Sequence, residues 1–230
     1  MELSKRLMSV ANGVTAGNRL ADIGTDHGYI PIFLVESGKV PSAIAMDVNE
    51  GPLLRAKQHI EEAGLAGCIK TRISNGLEAL SKDEADSIVI AGMGGALMED
   101  ILIKGKEILL EGKELILQPQ SEIFKVRRCL HQMEYEIIRE ELVLEDGKFY
   151  FILKAVPGRQ KFLEEYLYDY GEYLLKKADP LMIEYLKKEE KKYKQILKKL
   201  ITQNSPQAKK RMGEVKKQMD KIKKAYEYEV

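Results

Sequence analysis

Hydrophobic and polar positions follow two different patterns along this chain. In the first two thirds, short apolar runs such as Ile88-Val89-Ile90 are separated by longer stretches with helical spacing. Continuous apolar runs of this length are typical of parallel strands buried on both faces. The alternation of strand and helix signals therefore predicts an α/β domain over residues 1–156.

The same pattern gives approximate limits for each element of this domain. Asp146-Gly147 lies between two β-rich runs, which is a strong signal for a tight hairpin. The sheet is therefore expected to begin with parallel strands and to end in an antiparallel hairpin. The predicted strands are 19–25, 43–48, 69–73, 87–91, 114–117, 136–144 and 149–156, and the predicted helices are 3–12, 31–38, 50–63, 96–110 and 121–133.

From residue 157 onward the apolar residues recur only at helical spacing. Asp179-Pro180 and Ser205-Pro206 each combine an N-cap residue with a proline at the first helical position. These signals predict a helical coiled-coil domain over residues 157–230. After the second signal, a heptad seam is formed by Ala208, Met212, Val215, Met219, Ile222 and Tyr226.

The charges divide between the two regions. The net charge is +1, but residues 1–156 contain 18 basic and 24 acidic side chains, and residues 157–230 contain 19 basic and 12 acidic ones. A basic appendage suits a phosphate-rich partner. A solvated coiled-coil face explains the same composition, so both interpretations stay open here.

The remaining composition limits the class of protein. Hydrophobic residues make up 44% of the chain, enough for a substantial core. Cys68 and Cys129 form no C-x-x-C pair and have no metal-ligand spacing, which indicates a reducing compartment. We also expect no signal peptide, no membrane span and no metal site, and a cytoplasmic location.

Residues 22–28 read Asp-Ile-Gly-Thr-Asp-His-Gly and connect a predicted strand to a predicted helix. Gly24 and Gly28 would let the backbone approach a ligand closely, and the helix would direct free N–H groups toward it. Dinucleotide sites favour G-x-G-x-x-G, and Asp26 would repel a pyrophosphate but tolerate a cationic sulfonium. The motif resembles the loop of class I S-adenosylmethionine methyltransferases, although an ordinary βα turn is the alternative.

Further candidates follow the next two predicted strands. Asp47 lies 25 positions after Asp22, where an acid can accept both ribose hydroxyls of a nucleoside cofactor. Capping of the next helix is the alternative role for Asp47. Asn75-Gly76 could hold an adenine, or it could be a simple turn.

Two more segments follow predicted strands four and five. Residues 91–95 read Ala-Gly-Met-Gly-Gly, which implies close backbone approach but lacks the (Asp/Asn)-Pro-Pro-(Tyr/Phe) motif of many amino-methylating enzymes. Gln118 and Gln120 flank Pro119 and could read a base edge, or the segment could simply begin a helix.

Two ring side chains of the first motif are further candidates. His27 could orient substrate or move a proton, or hold the loop closed. Tyr29 could stack on a base or pack in the core.

Taken together, these blocks resemble the bacterial tRNA (adenine-22-N1)-methyltransferases, the TrmK family, over the whole chain. The resemblance implies a Rossmann-like, seven-stranded class I fold, S-adenosylmethionine as donor, tRNA as partner and N1 of a D-arm adenine as acceptor. It implies a cofactor pocket of Asp22, Gly24, Thr25, Asp26, Gly28, Asp47, Val48, Asn75, Gly76, Gly92 and Met93, and catalytic candidates Asp26, His27, Tyr29, Met93 and Gln118.

Three other functions remain open from the sequence. The chain could be a small-molecule or protein methyltransferase with a dimerising coiled coil, a nicotinamide dehydrogenase, or a non-catalytic S-adenosylmethionine-binding RNA adaptor. The absent G-x-G-x-x-G and the terminal hairpin argue against the dehydrogenase. We expect a monomer.

Overall fold

The computed structural model describes residues 2–110, 112–203 and 205–228. The chain forms two compact units that divide between Lys161 and Phe162. Residues after the predicted limit of 156 stay with the first unit because Gln160 reaches back to it. The Gln160 side-chain oxygen accepts a hydrogen bond from the Ile137 amide and lies 2.9 Å from His131 Nε2.

The first unit is built on a seven-stranded sheet in the order β3-β2-β1-β4-β5-β7-β6. The first five strands are parallel, and β7 runs antiparallel to both β5 and β6. This topology confirms the class I methyltransferase fold with its terminal hairpin. The strands are β1 (Leu20–Ile23), β2 (Ala43–Asp47), β3 (Ile69–Ile73), β4 (Ser87–Gly94), β5 (Glu114–Ser121), β6 (Tyr135–Glu145) and β7 (Lys148–Pro157).

The predicted long helix over 96–110 is two helices in the structure. Gly105 separates them, and a Cβ at this position would overlap the Leu77 side chain. The break therefore lets the turn after β3 pack closely against the helix end. The helices of this unit are α1 (Lys5–Gly13), α2 (Tyr29–Glu36), α3 (Glu50–Glu62), α4 (Gly95–Lys104), α5 (Lys106–Leu109) and α6 (Ile123–Gln132).

The central strands form the core, as their apolar runs predict. All four residues of β1 are buried, and so are the first four residues of β4. β1 pairs with β2 on one side and with β4 on the other. The strand order therefore reverses beside β1, and this reversal opens a crevice at the carboxyl ends of the strands.

Two strands extend further than the sequence predicts. β4 continues past Ala91 to Gly94, and β5 continues past Leu117 to Ser121, with register shifts around Met93. Pairing between the two strands keeps this glycine-rich and proline-containing backbone extended. Both strands therefore carry side chains directly into the crevice.

The second unit is helical. Asp179 caps α9 by accepting from the Leu181 amide at 2.8 Å, and Ser205 caps α10 by accepting from the Ala208 amide at 3.1 Å. Both predicted helix starts are therefore confirmed. The helices of this unit are α7 (Glu165–Tyr170), α8 (Glu172–Lys176), α9 (Pro180–Ile201) and α10 (Pro206–Tyr226).

The helices α9 and α10 pack along the predicted seam. Val215 and Ile222 are buried, whereas Tyr226 at the end of the seam is 41% exposed. Among the described residues, no helix is long and apolar enough to cross a membrane. The same residues contain no group of three or more His, Cys, Asp or Glu side chains suited to a metal ion.

Candidate active site

A cavity of about 340 Å³ lies at the carboxyl ends of β1 and β4, where the crevice opens. Helix α1 supplies one wall of the cavity through Arg6 and Leu7. The lining residues are Arg6, Leu7, Asp22, Gly24, Thr25, Asp26, His27, Tyr29, Ile30, Ala91, Gly92 and Gln120.

The loop after β1 depends on its glycines. Gly24 and Gly28 have φ values of 72° and 70°, in the region that disfavours side chains. A Cβ at Gly24 would overlap the Met93 methyl group, and a Cβ at Gly28 would lie 3.3 Å from Ala56 Cβ. The Gly24 and Thr25 amides both donate to the Met46 carbonyl. The loop is therefore fixed against β2, with its peptide groups beside the cavity.

Asp22 is the buried acid of the site. It is only 5% exposed, and burial raises the pKa of its carboxyl group to about 6. The negative charge of Asp47 adds to this rise in the pKa. A cationic ligand group in the cavity would stabilise the ionised carboxylate. Asp22 is therefore suited to an ammonium or sulfonium ligand.

Asp26 is an exposed acid at the cavity mouth. Its carboxylate lies 3.0 Å from Arg55 Nη2 and 3.4 Å from His27 Nε2. The His27, Tyr29 and His59 rings are nearly parallel, with centroids 5.1–5.6 Å apart. The His27 ring lines the cavity, which suits a role in orienting substrate or moving a proton. It also stacks on its two neighbours, which suits a role in holding the loop closed.

Two buried polar atoms of the site have no hydrogen-bond partner among the described residues. They are Thr25 Oγ1 and His27 Nδ1. A buried polar atom without a partner is costly unless a ligand or water satisfies it. Together with the close-approach glycines and the buried Asp22, these atoms fit a polar, cationic cofactor such as S-adenosylmethionine.

Four of the expected cofactor residues lie along the same sheet edge but do not line the cavity. The Asp47 carboxylate accepts from the Asn49 amide at 2.7 Å, and Val48 is 58% exposed. The Asn75 side chain donates to Glu78, and a Cβ at Gly76 would lie 3.0 Å from the Ile101 side chain. Their roles in binding stay predictions.

Gln118 and Met93, two of the catalytic candidates, are not among the residues that line the cavity. Gln118 is fully buried, and its Oε1 accepts from Arg6 Nη1 at 2.8 Å and from the Gly92 amide at 3.2 Å. Its Nε2 donates to the Pro119 carbonyl. Gln118 therefore holds other parts of the site, and Gln120 is the glutamine that faces the cavity.

Arg6, Leu7, Ile30 and Ala91 line the cavity although no motif in the sequence marks them individually as site residues. Arg6 and Gln118 are 112 positions apart, so no local spacing connects them. The only available signal was the leading helix itself, which begins after the Ser4 cap.

Comparisons with known proteins agree with this geometry. A family model described as TrmK, tRNA (adenine(22)-N(1))-methyltransferase, matches residues 20–224. A Bacillus subtilis protein named tRNA (adenine(22)-N(1))-methyltransferase is 41% identical over 158 residues, which cover 69% of this chain and 66% of that protein. The match thus spans just under two thirds of the relative's length.

Solved structures match nearly the whole chain. The crystal structure of the B. subtilis M1A22 tRNA methyltransferase TrmK has a TM-score of 0.90 and 35% identity, over 97% of this chain and 98% of that one. A Streptococcus pneumoniae protein in complex with S-adenosyl-L-methionine has a TM-score of 0.88 and 35% identity, over 97% and 99% of the two chains. This chain therefore belongs to the TrmK family of tRNA (adenine(22)-N(1))-methyltransferases.

Proposed function

We propose that this protein transfers a methyl group from S-adenosylmethionine to N1 of adenine 22 in tRNA. The observation that carries the proposal is the cavity beside β1, which brings Asp22, Thr25 and Asp26 together in a chain of this family. The related S. pneumoniae structure with bound S-adenosyl-L-methionine supports the choice of donor.

Different residues around the cavity would bind different parts of the methyl donor. Asp22 would bind the cationic part of the cofactor, and Thr25 Oγ1 and His27 Nδ1 would offer further polar contacts. We assign the ribose to Asp47 and the adenine to Asn75, which lie further along the same edge of the sheet. Bound S-adenosylmethionine supplies an electrophilic methyl group on its sulfonium.

The acceptor requires positioning more than proton transfer. Adenine N1 has an available lone pair, so its attack on a methyl group needs no strong base. The protein contributes by aligning the reacting atoms, which can account for much of the rate. To Asp26, which lines the same cavity, we assign the stabilisation of the positive charge that develops on the methylated base.

The RNA must present a base whose Watson–Crick edge is free. In paired or stacked RNA this edge is blocked, so the adenine has to be extruded into the cavity. We assign the grip on the tRNA backbone to the basic second unit, where Lys191, Lys194 and Lys198 follow one face of α9. A monomeric state and a cytoplasmic location stay predictions.

Labelled S-adenosylmethionine and unmodified tRNA test this proposal directly. We expect label to appear in 1-methyladenosine after digestion to nucleosides, and to be lost when position 22 carries guanine. Transfer to a different nucleotide would contradict the assignment of the site. Cofactor binding without transfer would favour the adaptor function, and label only in protein or small molecules would favour the other methyltransferase classes.

A further inference from the structure

Arg55 is a cation at the entrance to the cavity, and the proposed reaction has so far given it no role. It does not line the cavity, but its Nη2 donates to Asp26 Oδ1 at 3.0 Å, and Asp26 does line it. The two side chains are 48% and 62% exposed. Exposed ion pairs contribute little to stability, because water competes for both partners. The pair can therefore open at small cost when a stronger partner for Arg55 arrives.

Helix α3 holds the backbone of Arg55 against the motif loop. Ala56 faces Gly28, where an added Cβ would lie 3.3 Å from Ala56 Cβ. One turn further along, His59 Nδ1 lies 2.9 Å from the His27 carbonyl oxygen. Arg55 and His59 are four positions apart, so they lie on the same face of the helix. The base of the Arg55 side chain is therefore fixed beside the entrance, whereas its guanidinium is accessible from outside.

The charges at the entrance suit a phosphodiester. A target base that enters the cavity leaves its own phosphates outside, where an unpaired Asp26 carboxylate would repel them. Arg55 offsets this repulsion in the free protein. A guanidinium has five N–H donors and can bind a phosphate through two parallel hydrogen bonds, whereas the bond to Asp26 uses one donor. A phosphate is thus the stronger partner for Arg55.

We propose that Arg55 exchanges partners during the reaction. It pairs with Asp26 in the free protein, and in the RNA complex it binds a backbone phosphate next to the target adenine. The inference rests on the proposed function. The exchange leaves the Asp26 carboxylate without its cation when positive charge develops on the base, which strengthens the attraction between them. Substrate RNA therefore activates the carboxylate that serves it, while the basic second unit holds the rest of the tRNA.

Steady-state methyl transfer to tRNA tests this exchange. We expect Arg55→Met to raise the KM for tRNA about 5- to 50-fold, the loss of a charge-assisted hydrogen bond less the small cost of leaving Asp26. The kcat at saturating tRNA should change less than about twofold, because Asp26 stays in place. The affinity for S-adenosylmethionine, measured by calorimetry, should stay unchanged.

Asp26→Asn should give the opposite result. It removes the competitor for Arg55, so the KM for tRNA should be unchanged or lower, whereas kcat should fall more than about tenfold. Arg159→Met is the matched control, since Arg159 is exposed and lies 3.0 Å from a carboxylate oxygen of Glu134. It should leave KM and kcat unchanged.

Methylphosphonate linkages identify the phosphate. Each linkage beside adenine 22 is replaced in turn by this uncharged group. We expect one of the two replacements to raise the wild-type KM by about as much as Arg55→Met does, and to add little when combined with that variant. Fully additive effects at both linkages would overturn the assignment of a phosphate to Arg55.

Two further outcomes would overturn the exchange. An unchanged KM in Arg55→Met would mean that Arg55 does not bind RNA. Equal losses of S-adenosylmethionine affinity in Arg55→Met and Asp26→Asn would make the pair a structural fastening of the loop. A wild type that forms 1-methyladenosine but fails these comparisons contradicts this inference alone. A wild type that transfers no methyl group to tRNA contradicts the proposed function, and this inference with it.

Discussion

Asp22 is a carboxylic acid enclosed by the central strands, and this burial opposes its ionisation. The raised pKa of about 6 means that the folded chain binds a proton at Asp22 more tightly than the unfolded chain does. The associated stability is fully present below about pH 4 and is lost as the pH rises through 6. Near neutral pH, the ionised carboxylate weakens the fold and prepares the cavity for a cation.

Asp22→Asn should therefore stabilise the protein and impair binding. A shift of about two pH units corresponds to about 3 kcal/mol, an upper limit on the gain in unfolding free energy at pH 7.5. Unfolding followed by circular dichroism should show that the free energy of unfolding falls less between pH 4 and 7.5 in the variant than in the wild type. S-adenosylmethionine affinity, measured by calorimetry, should fall at least about tenfold with loss of the charge.

Asp86 gives a control of opposite sign. Arg19 holds the pKa of the Asp86 carboxyl at about 2. The stability that the ionised carboxylate contributes to the fold is therefore present above pH 4 and is lost as the pH falls through 2. Asp86→Asn should destabilise the protein at pH 7.5 and leave the affinity for S-adenosylmethionine unchanged. If the free energy of unfolding falls between pH 4 and 6 by the same amount in Asp22→Asn as in the wild type, Asp22 is not the group that causes this pH dependence.

Gly24→Ala separates backbone strain from contact with the site. The left-handed conformation costs an L-residue about 1–2 kcal/mol, and the new methyl group would push the Met93 side chain out of place. We expect a loss of stability together with at least about tenfold weaker cofactor binding. Gly17→Ala is the matched control, because Gly17 has φ 86° but nothing within 4 Å of the added Cβ. Equal cofactor affinities in the two variants would contradict the proposed close approach.

At the scale of elements, the local signals were predictable and the pairings were not. Asp179 and Ser205 cap their helices as the sequence indicates, because a cap is formed within three residues. The extension of β4 and β5 was not predictable, since Gly92 and Pro119 disfavour strands when considered alone. Partners on the neighbouring strand override that preference.

An ion pair fastens α6 to the hairpin strand β6. Arg127 Nε donates to Glu140 Oε1 at 2.7 Å, both side chains are almost fully buried, and the guanidinium lies over the Phe151 ring. Arg127→Met should lower the free energy of unfolding by about 3–5 kcal/mol, because it leaves a buried carboxylate without its cation. Denaturant titration followed by circular dichroism measures this loss, since the chain contains no tryptophan.

The double variant Arg127→Met/Glu140→Leu should recover most of that stability by removing the remaining charge. Lys104→Met, which breaks an exposed pair with Asp100, should change stability little. No recovery in the double variant would mean that packing of the Arg127 chain, rather than charge, dominates.

At the scale of the whole molecule, the charge division visible in the sequence falls close to the structural division at Lys161. The position of this boundary could be predicted from composition, because the net charge of each region is a sum over many residues and depends on no single contact. The contact between Arg6 and Gln118 could not be predicted, since it requires the topology of the sheet to bring together residues 112 positions apart. The motif loop was recognisable, and its α1 wall was not assigned by residue.

The second unit should make tRNA binding depend on salt. Replacing Lys191, Lys194 and Lys198 with glutamine should weaken binding and reduce the slope of log affinity against log salt by roughly 2 to 3, if each lysine neutralises one phosphate. Fluorescence anisotropy with labelled tRNA at several salt concentrations measures both quantities. Cofactor affinity should stay unchanged.

A matched triple variant controls for net charge. Lys57, Lys104 and Lys125 lie in the first unit and pair with nearby carboxylates. Their replacement with glutamine alters the net charge by the same amount and should have a smaller effect on the slope. Equal slopes in the two triple variants would refute a specific role for α9.

All twelve residues of the cavity belong to the unit before Phe162. Substitutions that accumulate in α9 and α10 therefore change none of the side chains that line the cavity. With the RNA contacts assigned to the second unit, as proposed above, natural selection could adjust which RNA is bound, and how tightly, without changing the residues of the cavity. In descendants of such a chain, substrate choice and reaction type are free to evolve at different rates.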